Sequence, residues 1–158
     1  GPYAGFFAHA ANGGTCVACH DAHALEVVAE GCKGCHGTDV LGDIRMMMTG
    51  DYDGDGDTTE GLEHELAGMA EVLYAAIQAY AADTVGTAIV YDSHSYPYWF
   101  TADGERYATW TPRLMRATYN YQLFKKDPGG YTHNFAYVAQ LLFDSADDLG
   151  AAGGMTRP

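Results

Sequence analysis

This sequence predicts a mainly α-helical single domain with a loop-rich N-terminal segment and a few short extended segments. Three observations carry that expectation. Gly13, Gly14, Gly31, Gly34, Gly37 and Gly42 crowd the first 42 residues, favouring a bent backbone over regular structure. Two later stretches carry apolar residues at spacings of three and four, the period of an amphipathic helix. A third opens on Thr111-Pro112, a cap followed by a first-turn proline. The chain has 158 residues, one domain's worth, and its 47 % hydrophobic content argues against disorder.

The elements follow in order. Residues 1–42 form one loop-rich segment, and residues 43–158 form a helical body within the same compact domain. Leu62 to Ala82 reads as a helix, with Leu62, Leu66, Met69, Leu73, Ile77 and Tyr80 on its inner face. Val85 to Tyr91 and Tyr96 to Trp110 are β-branched and aromatic and read as extended. Pro97 marks a bend or an edge between two tyrosines. The next helix starts at Pro112 and stops at Lys126, before Asp127-Pro128-Gly129-Gly130. The last runs from about Thr132 to Leu149, with Phe135, Val138, Leu141, Leu142 and Leu149 inward and Gly150 as its stop. Ala151 to Pro158 reads as a tail.

Charge narrows the function. Lys and Arg total 8 against 21 Asp and Glu, a net charge of −13. So few cations exclude a nucleic-acid or anionic-membrane surface. No apolar run approaches the roughly 18 residues of a membrane span. Residues 1–7 lack the basic region and apolar core of a signal peptide, so an exported chain is expected to be already processed.

The four cysteines are Cys16, Cys19, Cys32 and Cys35, followed directly by His20 and His36. Each pair reads C-x-x-C-H, the attachment signature of c-type haem. Two thiols add to the vinyl groups on one edge of the porphyrin, and the adjacent histidine reaches the iron. A structural zinc on four thiolates or two disulfides would use the same cysteines, but neither explains a histidine after both pairs. Two covalently bound haem c groups are therefore the expected cofactors.

Five histidines remain for the far sides of the irons: His9, His23, His64, His94 and His133. His23 lies three residues after His20, where helical spacing sets side chains side by side. It cannot easily serve the iron of His20, so it is read as a ligand of another iron, that of His36 being nearest. His9 precedes Cys16 by seven residues, a reach of about 25 Å, and is read as a ligand within its own chain or in a neighbouring subunit. For His133 and His94 a hydrogen-bonding role is preferred, and His64, between Glu63 and Glu65, is expected to face solvent. Met46, Met47 and Met48 are alternative donors, although a methionine run more often fills a packing gap.

Asp51, Asp53, Asp55 and Asp57 alternate, with Gly56 in sixth place, as in the opening of a Ca²⁺ loop. The twelfth position is Leu62 rather than Glu, so Glu60 or Glu63 would have to close the site. Four carboxylates so close repel one another without a cation. Asp51, Asp53, Asp55, Asp57 and Glu60 are thus candidate ligands of a structural Ca²⁺.

The run Cys16 to His23, the acidic stretch Asp51 to Asp57, Tyr96-Pro97-Tyr98-Trp99-Phe100 and Trp110-Thr111-Pro112-Arg113-Leu114 resemble the C-terminal part of extracellular multihaem c-type cytochromes of metal-reducing bacteria. Tyr119-Asn120-Tyr121-Gln122, Lys126-Asp127-Pro128-Gly129, His133-Asn134 and Gln140 to Ser145 are the most distinctive of the matching residues. Such proteins usually carry more haems, and some polymerise into filaments in which a distal histidine comes from the next subunit. The resemblance implies extracellular electron transfer without catalysis, maturation outside the cytoplasm, and self-association with close contacts between haems of neighbouring copies, for which His9 is attractive. Other redox proteins or extracellular acceptors would complete the circuit. The alternative is a periplasmic or surface dihaem shuttle that docks a basic patch on its partner. An enzyme would need an iron with an open position, against which five spare histidines argue.

Overall fold

In a computed structural model of the chain, residues 1–9 and 15–158 are described; Gly13 and Gly14 lie outside them. The elements are α1 (Lys33–His36), α2 (Leu62–Ala79), β1 (Ile89–Tyr91), β2 (Trp99–Thr101), α3 (Pro112–Lys126) and α4 (Gly130–Asp148). The three long helices pack on one another, with α2 against both α3 and α4.

The core follows from the period of the apolar residues. Leu66, Met69, Leu73 and Ile77 on α2 are at most 1 % exposed. They meet Leu114 and Ala117 of α3 and Phe135, Val138, Ala139 and Leu142 of α4. Helix α3 starts as expected, the Thr111 side chain accepting the Leu114 N–H at 3.2 Å. Leu141 and Leu149, expected inward, are half-buried.

Three expectations need correction. Helix α2 stops at Ala79 and continues as a π-helical turn over Tyr80–Val85. Gly86, at φ 81°, ends it in the left-handed region that glycine tolerates. Of Tyr96 to Trp110, only Trp99–Thr101 forms a strand, paired antiparallel with β1 in the register Val90 to Phe100. Beyond the strand, Tyr107 meets Trp110 edge-on at 4.9 Å; in the nearby aromatic cluster Tyr74 stacks on Tyr121 at 5.2 Å, and Trp99 lies 4.9 Å from Tyr91. Burial, with Tyr74 and Tyr91 alongside, pushes the Tyr121 phenol up to about 12. The C-terminal residues are a packed cover rather than a tail. Met155 is buried, and the Thr156 N–H donates to Tyr52 O at 3.0 Å.

The N-terminal segment is different in kind. Among the described residues before Tyr52, only Gly42 is buried. Phe6, Leu25 and Met47 are each more than 80 % exposed. The first residues are strapped to α4 instead. Gln140 Oε1 accepts the Ala4 N–H at 2.6 Å, Asn134 Nδ2 donates to Gly5 O at 2.8 Å, and Tyr3 meets Tyr137 edge-on at 5.8 Å.

Candidate functional site

Each cysteine pair sits on a tight turn. At the first, the N–H groups of Cys19 and His20 both donate to Cys16 O, at 3.2 and 2.9 Å. The chain then folds back, bridging His20 to Val27, with the Val28 N–H donating to Cys19 O. At the second pair, α1 carries Cys35 and His36 and is closed by Gly37 at φ 76°, whose N–H donates to Lys33 O. All four thiols are unpaired, and three of them are exposed. Among the described residues no group of three cysteines, histidines or carboxylates comes together around them as a zinc site would require.

The histidine rings form two pairs. His9 faces His36 with ring centroids 5.9 Å apart and a tilt of 44°. His20 faces His133 at 6.3 Å and 41°. Two imidazoles on opposite faces of one metal, each bonded at about 2.0 Å, hold their ring centres about 6 Å apart. Each pair contains one histidine of a C-x-x-C-H motif and one from elsewhere in the chain. The His36 Nδ1 is buried without a hydrogen-bond partner among the described residues. Free thiols, histidines and an uncovered apolar surface fit two covalently held haems.

Helix α4 and the turn before it aim His133. The N–H groups of Thr132 and His133 donate to Gly129 O at 2.9 Å, winding the first turn. Asn134 then leaves helical geometry (φ −167°, ψ 80°), separating that turn from the rest of the helix. The His133 Nδ1 lies 2.8 Å from Asp127 Oδ1. Gly129 leaves room for the ring: a Cβ there would stand 2.8 Å from His133 Cε1.

The other predicted residues are placed as follows. His23 is exposed at the tip of a short loop, and no histidine ring pairs with it among the described residues. That loop is tied by Asp21, whose Oδ1 accepts N–H bonds from Ala24 at 2.7 Å and His23 at 2.8 Å. These bonds hold the Asp21 carboxyl below its ordinary value. His94 is exposed beside Asp92, and exposed His64 lies 3.9 Å from Asp43. Met46 and Met47 are exposed, while Met48 lies against Tyr52. His133, for which a hydrogen-bonding role is preferred from sequence, makes that bond to Asp127 and also stands opposite His20, a placement that sequence did not single out. Its signal was the Asp-Pro-Gly-Gly turn, which reads as a helix stop and serves as a platform for the imidazole.

The acidic loop turns as its alternating carboxylates suggest and gathers its carboxylates in two groups. Asp53, Asp55 and Glu60 offer oxygens within 4.8 Å of one another, as do Asp51, Asp53 and Glu65. Glu63 stands elsewhere, against Gly42. Glu65 is fully buried and already engaged: Arg45 Nη1 donates to Oε1 at 2.6 Å, and the Tyr52 and Asp53 N–H groups donate to Oε2. Asp57 is occupied by Thr59, whose side-chain and backbone donors lower its pKa. Burial raises the pKa of Asp53 and of Glu60, with neighbouring carboxylates adding to it. The Glu60 Oε1 is buried without a hydrogen-bond partner among the described residues.

These features suit the attachment of c-type haem at the C-x-x-C-H motifs, each motif histidine standing opposite a second imidazole. Among known proteins, the chain is distantly similar to the C-type polyheme cytochrome OmcB of two strains of Geobacter sulfurreducens. Each is 33 % identical over 93 residues, covering 56 % of this chain and 12 % of the relative. The chain therefore spans only a small fraction of those proteins' length. No family profile matches it, and no solved structure does. No helix among the described residues is long and apolar enough to cross a membrane.

Proposed function

We propose that this chain is a dihaem c-type cytochrome that passes single electrons extracellularly. One haem is held by Cys16 and Cys19, with His20 and His133 as axial donors. The other is held by Cys32 and Cys35, with His36 and His9. The observation that carries this is the facing of each motif histidine by a second imidazole at an iron-spanning distance. Haem iron with two imidazoles supplies reversible one-electron chemistry at low potential. The chain's own contribution is to fill both faces of each iron, leaving no position for a substrate, and to insulate one side with the helical body. Residues 1–42 are the haem segment. Production in a host with a c-type maturation system should give two covalently bound haems, both low-spin by absorption and EPR. A single haem, bound zinc in place of haem, or a high-spin resting spectrum overturns the proposal.

The outer-surface location and redox partners come from the same reading, supported by the similarity to a polyheme cytochrome. His23 supports a further step, association of copies into a haem-stacked filament. It is an exposed donor on a segment that also exposes Phe6, Leu25 and Met47, and it could replace His9 at the His36 iron of a neighbour. Contacts repeated head to tail without closure give a fibre. Electron microscopy should show fibres for the native protein and none for His23→Ala; isolated particles throughout make it a dihaem shuttle.

Ca²⁺ at Asp53, Asp55 and Glu60 would relieve the crowding of carboxylates, with Asp51 and Asp57 shaping the loop. The unpartnered Glu60 oxygen supports that placement. Calorimetric titration with Ca²⁺ tests it, and no heat of binding rejects it.

A further inference from the structure

We infer that Asp127 is a positioning residue that makes the two irons unequal and so gives electron flow through the chain a direction. This rests on the dihaem reading above. Among the described residues, one of the two pairs of imidazoles is tied to a carboxylate and the other is not. His133 Nδ1 lies 2.8 Å from Asp127 Oδ1. An N–H at that nitrogen donates to the carboxylate, which leaves Nε2 as the bare nitrogen for iron. In the other pair, His36 Nδ1 is buried and has no partner among the described residues.

A carboxylate accepting from the outer nitrogen of a metal-bound imidazole fixes the ring's tautomer and orientation and makes it a stronger donor. A stronger donor favours the oxidised iron. The haem on Cys16 and Cys19 is therefore the more reducing of the two, and an electron entering there comes to rest on the haem on Cys32 and Cys35. The turn is built for this. Asp127 is itself held by the Gly129 N–H, which donates to the same Oδ1 at 3.2 Å. Asp127 O accepts the Gly130 N–H at 3.0 Å. Gly129 carries no side chain to push the ring aside. His20, on the opposite face of that iron, is fixed by its covalent neighbours, so the aim of the pair depends on His133.

The test is potentiometry of the holoprotein and of Asp127→Asn. Asparagine keeps an oxygen acceptor of the same reach and removes the charge. The wild type should titrate as two resolved one-electron steps. In the variant the lower midpoint should rise towards the upper one, which stays in place, while both haems remain low-spin. The EPR g values of one haem alone should move. Asp127→Ala, which removes the acceptor altogether, should leave one haem partly high-spin, and free imidazole should restore it. Unchanged midpoints, or equal shifts of both, in a variant that keeps two low-spin haems overturn the role of Asp127 and leave the dihaem assignment standing. A wild type without two low-spin haems overturns that assignment instead.

Discussion

His133 and Glu65 show how much one side chain can decide. Gly129 sits under His133 where a Cβ would approach the ring to 2.8 Å. Gly129→Ala should therefore displace the imidazole and leave one of the two haems high-spin, seen in the absorption spectrum and reversed by added imidazole. Glu65 is buried and paired with Arg45, whose side chain is 12 % exposed. Arg45 also donates to the backbone carbonyls of Glu60 and Gly50, so this pair joins α2 to the acidic loop. Breaking a buried pair leaves one charge without compensation, at a cost of about 3–5 kcal/mol. Glu65→Gln should lower stability by about that amount in chemical denaturation without altering the haem spectrum.

Helix α4 serves both histidines that face the motif histidines. It carries His133 in its first turn and holds the segment leading to His9 through Asn134, Tyr137 and Gln140. Gln140 also donates to Pro158 O at 2.7 Å, so one side chain clasps both ends of the described chain. The neighbouring Asp144–Arg157 pair, at 2.7 Å, lies with Arg157 over the Tyr3 ring. Burial pushes the Asp144 carboxyl up, but hydrogen bonds from Arg157 and Tyr3 outweigh it and leave it below the ordinary value. A depressed carboxyl pKa contributes stability above the unfolded value, and that stability is lost as pH falls through the folded one. The strap should therefore hold at neutral pH and release in acid below the ordinary carboxylate range. Hydrogen exchange of residues 1–9 across that range checks this, and Asp144→Asn should remove the pH dependence.

At the scale of the whole molecule, the helical body buries a core of its own and the described residues before Tyr52 do not. Leu142 is fully buried between helices, and Leu142→Ala should cost about 2–5 kcal/mol. The segment before Tyr52 buries almost nothing, so its order depends on what covers its apolar residues. Protein made without haem should keep helical circular dichroism and lose protease resistance only before Tyr52. Removing Ca²⁺ with a chelator should lower the melting temperature of the body if Asp53, Asp55 and Glu60 hold the ion, with little effect on the haem bands.

The sequence by itself determined what is local. Cysteines three apart with a histidine next in line specify a covalent attachment, because all the bonds fall within one turn of chain. Thr111-Pro112 and the apolar period of α2 and α4 specify helices for the same reason. Which imidazole faces each motif histidine is a different kind of fact. That donor must approach from the opposite face, so it comes from a part of the chain with no local tie to the motif. The ring of His133 comes from a turn that reads as a helix stop, and that of His9 from a strap whose path is set by Gln140 and Asn134. Glu65, whose carboxylate accepts the Tyr52 and Asp53 N–H groups, likewise comes from helix α2 rather than from the acidic loop itself. Tertiary structure alone brings these groups together, because the distance across a metal or a buried ion pair is spanned by packing and not by chain.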